Sequence, residues 1–352
     1  MRTCLRLFLY PVLLVGLLLT GCSASSERQL SEMKEQIDLE VGAVQKVAVL
    51  STDGQEVALD PAAFLNDLPA EGKELELSDT PLEREDVRYT LILYRKVEAP
   101  LVLEVGERAS RFGDKTYGGS GAANFYRWVR QLTGEALLQS SVRTADLVAD
   151  DLGRSVSMTE QEAASLWQTL QSADYLETVE EKQYPLYPRY RLKLDMGAGH
   201  LEATVLTPTM VSIPFGKETH YYRIQGSLFS TLTEWLPPNH VSTDPFESLF
   251  KADEIHIQPM ANLAIQQQVR KMSDSTIDLG MSHQCIRLLK SGILQSKPTA
   301  LPRQENYRII FVSGETKSTV QMYDRYFVYD GKVYTHGGVD QSVLDLLNAK
   351  RK

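Results

Sequence analysis

Tyr89-Thr90-Leu91-Ile92-Leu93, Tyr190-Arg191-Leu192-Lys193-Leu194 and Tyr307-Arg308-Ile309-Ile310-Phe311 are three versions of one stretch, and their reading decides the fold. Each places apolar residues two and four positions after a tyrosine, the period of a strand with one buried face. A second alternating run follows each time: Leu101, Leu103 and Val105, then Leu201, Ala203 and Val205, then Val320 and Met322. Gly197-Ala198-Gly199 and Ser313-Gly314-Glu315 read as the hairpin loops between them. Next comes an aromatic–glycine turn leading to another tyrosine. Its three forms are Phe112-Gly113-Asp114 to Tyr117, Phe215-Gly216-Lys217 to Tyr221, and Tyr329-Asp330-Gly331 to Tyr334. Asp330-Gly331 has the composition of a type I′ hairpin turn.

Each copy then closes with an apolar stripe at helical spacing behind glycine. The stripes are Phe125, Trp128, Val129 and Leu132; Leu228, Leu232, Trp235 and Leu236; and Val343, Leu344, Leu346 and Leu347. Pro237-Pro238 ends the second. Upstream, Val44–Leu50, Asp146–Val148 and Glu254–Gln258 read as opening strands. Short second strands follow at Glu56–Leu59, Val156–Met158 and Ser275–Leu279, then helices at Pro61–Leu68, Glu160–Gln171 and His283–Leu294. Thr159 with Glu162 spells a capping box. The expected unit is strand, strand, helix, three strands, helix, which suits an antiparallel sheet with helices packed on one face.

The fold class expected is therefore α+β, as three tandem units at residues 41–134, 139–238 and 250–352. The alternative is one large α+β domain with coincidental hairpins. The copies recur about 100–120 residues apart, whereas solenoid repeats run about 20–50 residues, so the period points to duplicated domains.

The N-terminus carries a different signal. Arg2 and Arg6 precede the apolar run Leu7–Leu19, and Leu19-Thr20-Gly21-Cys22 follows directly. The apolar run suits a signal-peptide core and is shorter than the ~20 residues of a membrane-spanning helix. Charge, core, small residues and cysteine in this order resemble the lipobox of bacterial lipoproteins, over residues 1–22 only. The resemblance implies a signal peptide at 1–21 and cleavage between Gly21 and Cys22. It also implies lipid, palmitate included, on Cys22, and an extracytoplasmic protein anchored in the cell membrane. Two or three acyl chains hold a protein firmly where one holds it marginally. Residues 22–40 read as a polar tether, with Leu30, Met33 and Ile37 at helical spacing.

Removing Arg2 and Arg6 leaves 35 basic residues against 46 acidic, a balance of −11. Such a chain is repelled by anionic surfaces except at its anchor, and it lacks the basic face that nucleic acid requires. Lys350-Arg351-Lys352 reads as cations complementing a helix C-terminus. Cys4 leaves with the signal and Cys22 is lipidated, so Cys285 has no disulfide partner. Its neighbours Ile286, Leu288 and Leu289 point to a buried helical position.

Catalytic spellings fail on spacing. Gly216-Lys217-Glu218-Thr219 resembles the end of a phosphate loop, but position 211 is valine. Ser31-Glu32-Met33-Lys34 matches Ser-x-x-Lys but lies in the tether, and Gly118-Gly119-Ser120-Gly121 is not a nucleophile elbow. The six histidines form no His-Glu-x-x-His pair, and Asp150-Asp151 and Glu180-Glu181 lack calcium-loop spacing and read as solvated. No catalytic residue, metal or cofactor is expected. Tyr184, Tyr187, Tyr190, Tyr221 and Tyr222 cluster with Pro185 and Pro188 as a candidate surface for a protein, peptide or glycan; the competing reading is that they fill a sheet face. The function expected is non-catalytic binding or sensing of an envelope partner. A solute-binding lipoprotein of a transporter and an envelope hydrolase are the alternatives.

Overall fold

The computed structural model describes residues 44–139, 141–196, 199–238, 243–260, 266–296, 304–335 and 338–348. The signal peptide, Cys22 and the tether lie outside the described residues, as do His240, His336 and the loop residues Gly197-Ala198. The described chain is mixed, mostly sheet, with six α-helices among the described residues.

The first sheet is built from β1 (Val44–Ser51), β2 (Glu56–Leu59), β3 (Glu76–Ser78), β4 (Val87–Arg95), β5 (Leu101–Gly106), β6 (Ser110–Phe112) and β7 (Lys115–Gly118). Helix α1 (Pro61–Glu71) separates β2 from β3, and α2 (Ala122–Leu137) follows β7. The second sheet uses β8 (Thr144–Ala149), β9 (Arg154–Ser157), β10 (Asp174–Leu176), β11 (Tyr190–Asp195), β12 (His200–Thr207), β13 (Met210–Phe215) and β14 (Glu218–Arg223). Its helices are α3 (Glu160–Gln171) and α4 (Leu228–Trp235). The third uses β15 (Glu254–Pro259), β16 (Gln268–Lys271), β17 (Ile293–Leu294), β18 (Tyr307–Ser313), β19 (Thr316–Met322), β20 (Tyr326–Tyr329) and β21 (Lys332–Thr335), with α5 (Thr276–Lys290) and α6 (Val339–Asn348).

All three sheets share one strand order. The first runs β2-β1-β4-β5-β6-β7-β3, the second β9-β8-β11-β12-β13-β14-β10, and the third β16-β15-β18-β19-β20-β21-β17. The chain forms two compact units. Residues 1–140 with 214–220 make the first, which holds the first sheet and the tip of the β13–β14 hairpin; residues 141–213 with 221–352 make the second, which holds the rest of the second sheet and the third.

The three tyrosine stretches are the central strands β4, β11 and β18. Tyr89, Leu91 and Leu93 are buried, as are Tyr190, Leu192 and Leu194, and Tyr307, Ile309 and Phe311. Each fully buried apolar side chain contributes about 1.5–3 kcal/mol, so these rows anchor their sheets. In the first unit α1 packs on β1 and α2 on β2 and β5, with Phe64 and Trp128 stacked 5.2 Å apart between the helices. In the third sheet α5 and α6 pack on each other over Ile255, Ile257, Ile309 and Phe311, with Cys285, Leu289 and Val343 in the same core.

Local chemistry sets the helix starts. Asp60 accepts from the amides of Ala62 (2.8 Å) and Ala63 (3.2 Å), with Pro61 at the first helical position of α1. Thr159 and Glu162 form the reciprocal capping box of α3. Asp330 has φ 47° and Gly331 φ 68°, the two positive values of a type I′ turn.

Three expectations need correction. In each copy the first helix is followed by five strands rather than three before the closing helix: β3, β10 and β17 span three, three and two residues, too short to alternate visibly, and the aromatic–glycine turn is itself a hairpin joining two strands. Ser275–Leu279 is not a strand. Ser275 accepts from the amide of Ile277 (3.0 Å) and caps α5, which begins at Thr276, well before His283; the strand is β16. Asp151 is not solvated but buried against Arg287, and Asp150, which stays part-exposed, is paired with Arg191, as described below.

Candidate functional site

In the first unit, a cavity of about 560 Å³ opens beside a partly buried polar network. Strand β4 begins next to the cavity and carries Arg88, which reaches Glu107 (3.1 Å) on one side and Glu218 (3.6 Å) on the other. Glu218 also meets Arg130 (3.5 Å), whose Nη2 donates to the Thr219 carbonyl at 2.8 Å. Tyr126 stands one turn before Arg130 on α2 and hydrogen-bonds to Glu218; burial first, and then that carboxylate, push its phenol well above the ordinary range. His220 is fully buried, with Nε2 3.4 Å from the Tyr89 hydroxyl. Burial pushes its pKa down to about 3, and the Arg130 cation acts in the same direction.

The cavity wall combines Asp86 and Glu107 with Arg88 and Arg108, beside the hydroxyls of Ser78 and Thr80. Such a balanced lining can hold a small polar solute by hydrogen bonds. An incoming anion would compete with Glu107 and Glu218 for Arg88. Gly216-Lys217-Glu218-Thr219 is the hairpin tip of this network, with the Lys217 ammonium donating to the Glu85 carbonyl at 2.5 Å. Neither that lysine nor Glu218 is arranged around a phosphate cradle.

In the second unit, the five tyrosines do not share one surface. Tyr190 is fully buried; its hydroxyl sits 3.2 Å from both Thr233 Oγ1 and the Leu236 carbonyl, and its ring lies edge-on to Phe229 at 5.2 Å. Tyr222 is buried edge-on against Tyr175 at 5.8 Å. Tyr221, its neighbour on β14, is partly exposed and opposite Leu176 at the sheet edge. Tyr184 is partly exposed, with the Lys182 ammonium 5.4 Å from its ring. Tyr187 stacks on Phe250 at 4.2 Å and donates its hydroxyl to Glu247 Oε1 at 2.8 Å.

Tyr184 and Tyr187 belong to a strap, residues 184–187, laid against α5. Gly280, His283 and Arg287 fall at helical positions i, i+3 and i+7, one stripe of α5. At Gly280 an added Cβ would lie 2.6 Å from the Tyr184 carbonyl oxygen, so only glycine admits the strap there. The Tyr187 amide donates to His283 Nδ1 at 2.8 Å. Arg287 donates to the carbonyls of Pro185 (2.7 Å) and Leu186 (2.9 Å) and grips both oxygens of Asp151, the shortest contact being 2.8 Å. Asp151 in turn accepts from the Arg189 amide at 2.8 Å, and Asp150 takes a bidentate contact from Arg191 at 2.6 Å. Fork-to-carboxylate pairs of this kind are the strong, geometrically specific ones. The sequence reading missed this stripe; the Gly280–His283–Arg287 spacing was its one local signal.

Cys285 is fully buried and burial pushes its thiol up to about 12, far from a thiolate. Among the described residues no group of three His, Cys, Asp or Glu side chains could hold a metal ion. Among the same residues no helix is long and apolar enough to cross a membrane. Compared with known proteins, the chain matches no protein-family model, no curated protein and no solved structure.

Proposed function

We propose that the chain is a lipid-anchored extracytoplasmic protein that binds or senses a partner in the cell envelope through three tandem α+β units. Anchoring rests on the Leu19-Thr20-Gly21-Cys22 pattern behind its charged and apolar leader. The observation that carries the binding role is the threefold use of one strand order, since repeated modules offer repeated surfaces to a partner. A non-catalytic role is supported by what the reactive side chains are doing. Cys285, His220 and His283 are buried and held in their neutral forms, and the arginines nearest them are bound to carboxylates and carbonyls. The partner is an envelope protein, peptide or glycan, and of the five clustered tyrosines Tyr184, Tyr187 and Tyr221 keep the partial exposure needed to touch it.

The cavity beside Arg88 favours a second reading, a solute-binding lipoprotein that captures a small polar molecule. A saturable thermal shift of the full chain with such a molecule, lost in Arg108→Ala, would put this reading first.

The anchor is tested at Cys22. In living cells, Cys22→Ala should abolish incorporation of a clickable palmitate analogue and leave unprocessed precursor or soluble protein. Unchanged labelling overturns the anchor. Crosslinking in intact cells followed by pull-down of the full chain should then recover a discrete envelope component. Hydrolysis of peptidoglycan or another envelope polymer by the purified protein would overturn the non-catalytic role.

A further inference from the structure

We propose that the strap Tyr184–Tyr187 is a latch released by acid, because its seat on α5 needs an unprotonated nitrogen at His283 Nδ1. The Tyr187 amide donates to that nitrogen at 2.8 Å. A protonated imidazole carries hydrogen on both nitrogens, so the same contact would set two donors against each other. The close approach of the Tyr184 carbonyl to Gly280 and the Arg287 bonds to Pro185 and Leu186 fix the strap's height over α5, so it cannot accommodate a second hydrogen by a small shift. The contact breaks rather than adjusts.

Burial biases His283 toward the neutral form, and Arg287, one turn along α5, adds to it by opposing a second cation. Acting the other way are Asp151 and the Phe250 backbone. Asp151 is already bound by Arg287. Glu247 faces the strap through the Tyr187 hydroxyl, and Lys290 pairs with Asp244 at 2.7 Å beside Phe250.

Five kinds of contact hold the strap: the His283 bond, the Arg287 bonds to two carbonyls, the Leu186 amide donated to the Leu206 carbonyl (3.0 Å), the Tyr187 hydroxyl donated to Glu247, and the Tyr187–Phe250 stack. Three of the five involve Tyr187. Release therefore uncovers Tyr187 and Phe250, an aromatic surface next to the cations Arg287 and Lys290. The latch differs from the binding role proposed above and does not depend on it.

Hydrogen exchange of the full chain in detergent, followed by mass spectrometry at pH 7 and pH 4 and corrected for the intrinsic pH dependence of exchange, tests the latch. The peptide covering residues 184–189 should exchange at least tenfold faster at pH 4, while β11 keeps its protection. Glutamine at 283 offers an acceptor that does not titrate, so His283→Gln should hold the strap at both pH values. Strap protection unchanged at pH 4, simultaneous loss in β11, or the same transition in His283→Gln each overturns the proposal. If that variant does not fold, the imidazole ¹⁵N signals of the wild-type chain decide. Strap release must follow the His283 titration, and titration with the strap still protected overturns the latch.

Discussion

Gly216 shows how much one residue can determine. Its φ is 62°, in the left-handed region, and a Cβ there would lie 2.7 Å from Thr52 Oγ1 and 2.8 Å from the Thr52 amide. An alanine faces both the left-handed penalty of about 1–2 kcal/mol and a collision with backbone. Gly216→Ala should therefore destabilise the first unit by at least ~2 kcal/mol, read as a lower urea midpoint for that transition. A midpoint within error of wild type would mean that the hairpin tip has room to shift. At this scale the sequence was legible in part. The alternation after Tyr190 pointed inward correctly, and Cys285 could be placed in a helical core from its neighbours. Asp151 could not be read, because its partner Arg287 is 136 residues away, while the nearby Arg154 donates to the Pro237 carbonyl. The strap stripe was hidden for a related reason: it acts on backbone atoms of residues 184–187, which leave no side-chain pattern to match.

Among the elements, β16, α5 and α6 are joined by one buried side chain. Arg270 is 9% exposed and Asp278 1% exposed, and their pair (3.1 Å) ties β16 to the first turn of α5. The same guanidinium donates to the Leu347 carbonyl near the end of α6 and lies 3.3 Å from Gln268 Oε1. Removing one partner of such a pair leaves an uncompensated buried charge and costs about 3–5 kcal/mol, whereas replacing both by apolar residues of similar volume is often near neutral. Arg270→Met alone should thus cost at least ~3 kcal/mol, and Arg270→Met with Asp278→Leu should recover most of it in denaturant unfolding. Additive losses in the double variant would show that the pair itself stabilises the third sheet. The long elements were legible because burial imposes a period: α3 and β2 have the bounds that periodicity and capping indicate. The short edge strands were not, since β17 is two residues long and its Ile293 and Leu294 are 71% and 53% exposed. Their pairing comes from a neighbouring strand and not from any pattern of their own. Ser275 misled in another way, because a residue that can open a turn beside a strand is also a good N-cap.

Across the molecule, two buried neutral histidines set the response to acid. His220 in the first unit and His283 in the second are pushed down to about 3 and about 4, from an ordinary value of 6.5. Between those values and 6.5 the unfolded chain binds protons that the folded chain refuses, so stability falls as pH falls. The contribution is fully present above pH 6.5 and is lost as pH drops toward 4 and 3. For His283 the loss amounts to about 3 kcal/mol, because each pH step of one between 6.5 and 4 removes about 1.4 kcal/mol. Denaturation midpoints should therefore drop steadily from pH 7 to pH 4, and the drop should flatten in a chain carrying both His220→Gln and His283→Gln. A wild-type profile that stays level over that range would contradict the burial of these rings. The shared strand order has a further consequence, for the sequence in which each sheet can be completed. In every copy the strand made just after the first helix lies at the far edge, beside the last strand of its sheet: Ser78 faces Thr116, Leu176 faces Tyr221, and Leu294 faces Tyr334. The chain thus lays down one border early and fills the interior afterwards, so that border stays without a neighbour until the final strand arrives. Contacts so distant along the chain are slow to form. Each sheet is closed by its last hairpin, and a nascent chain would reach that point three separate times.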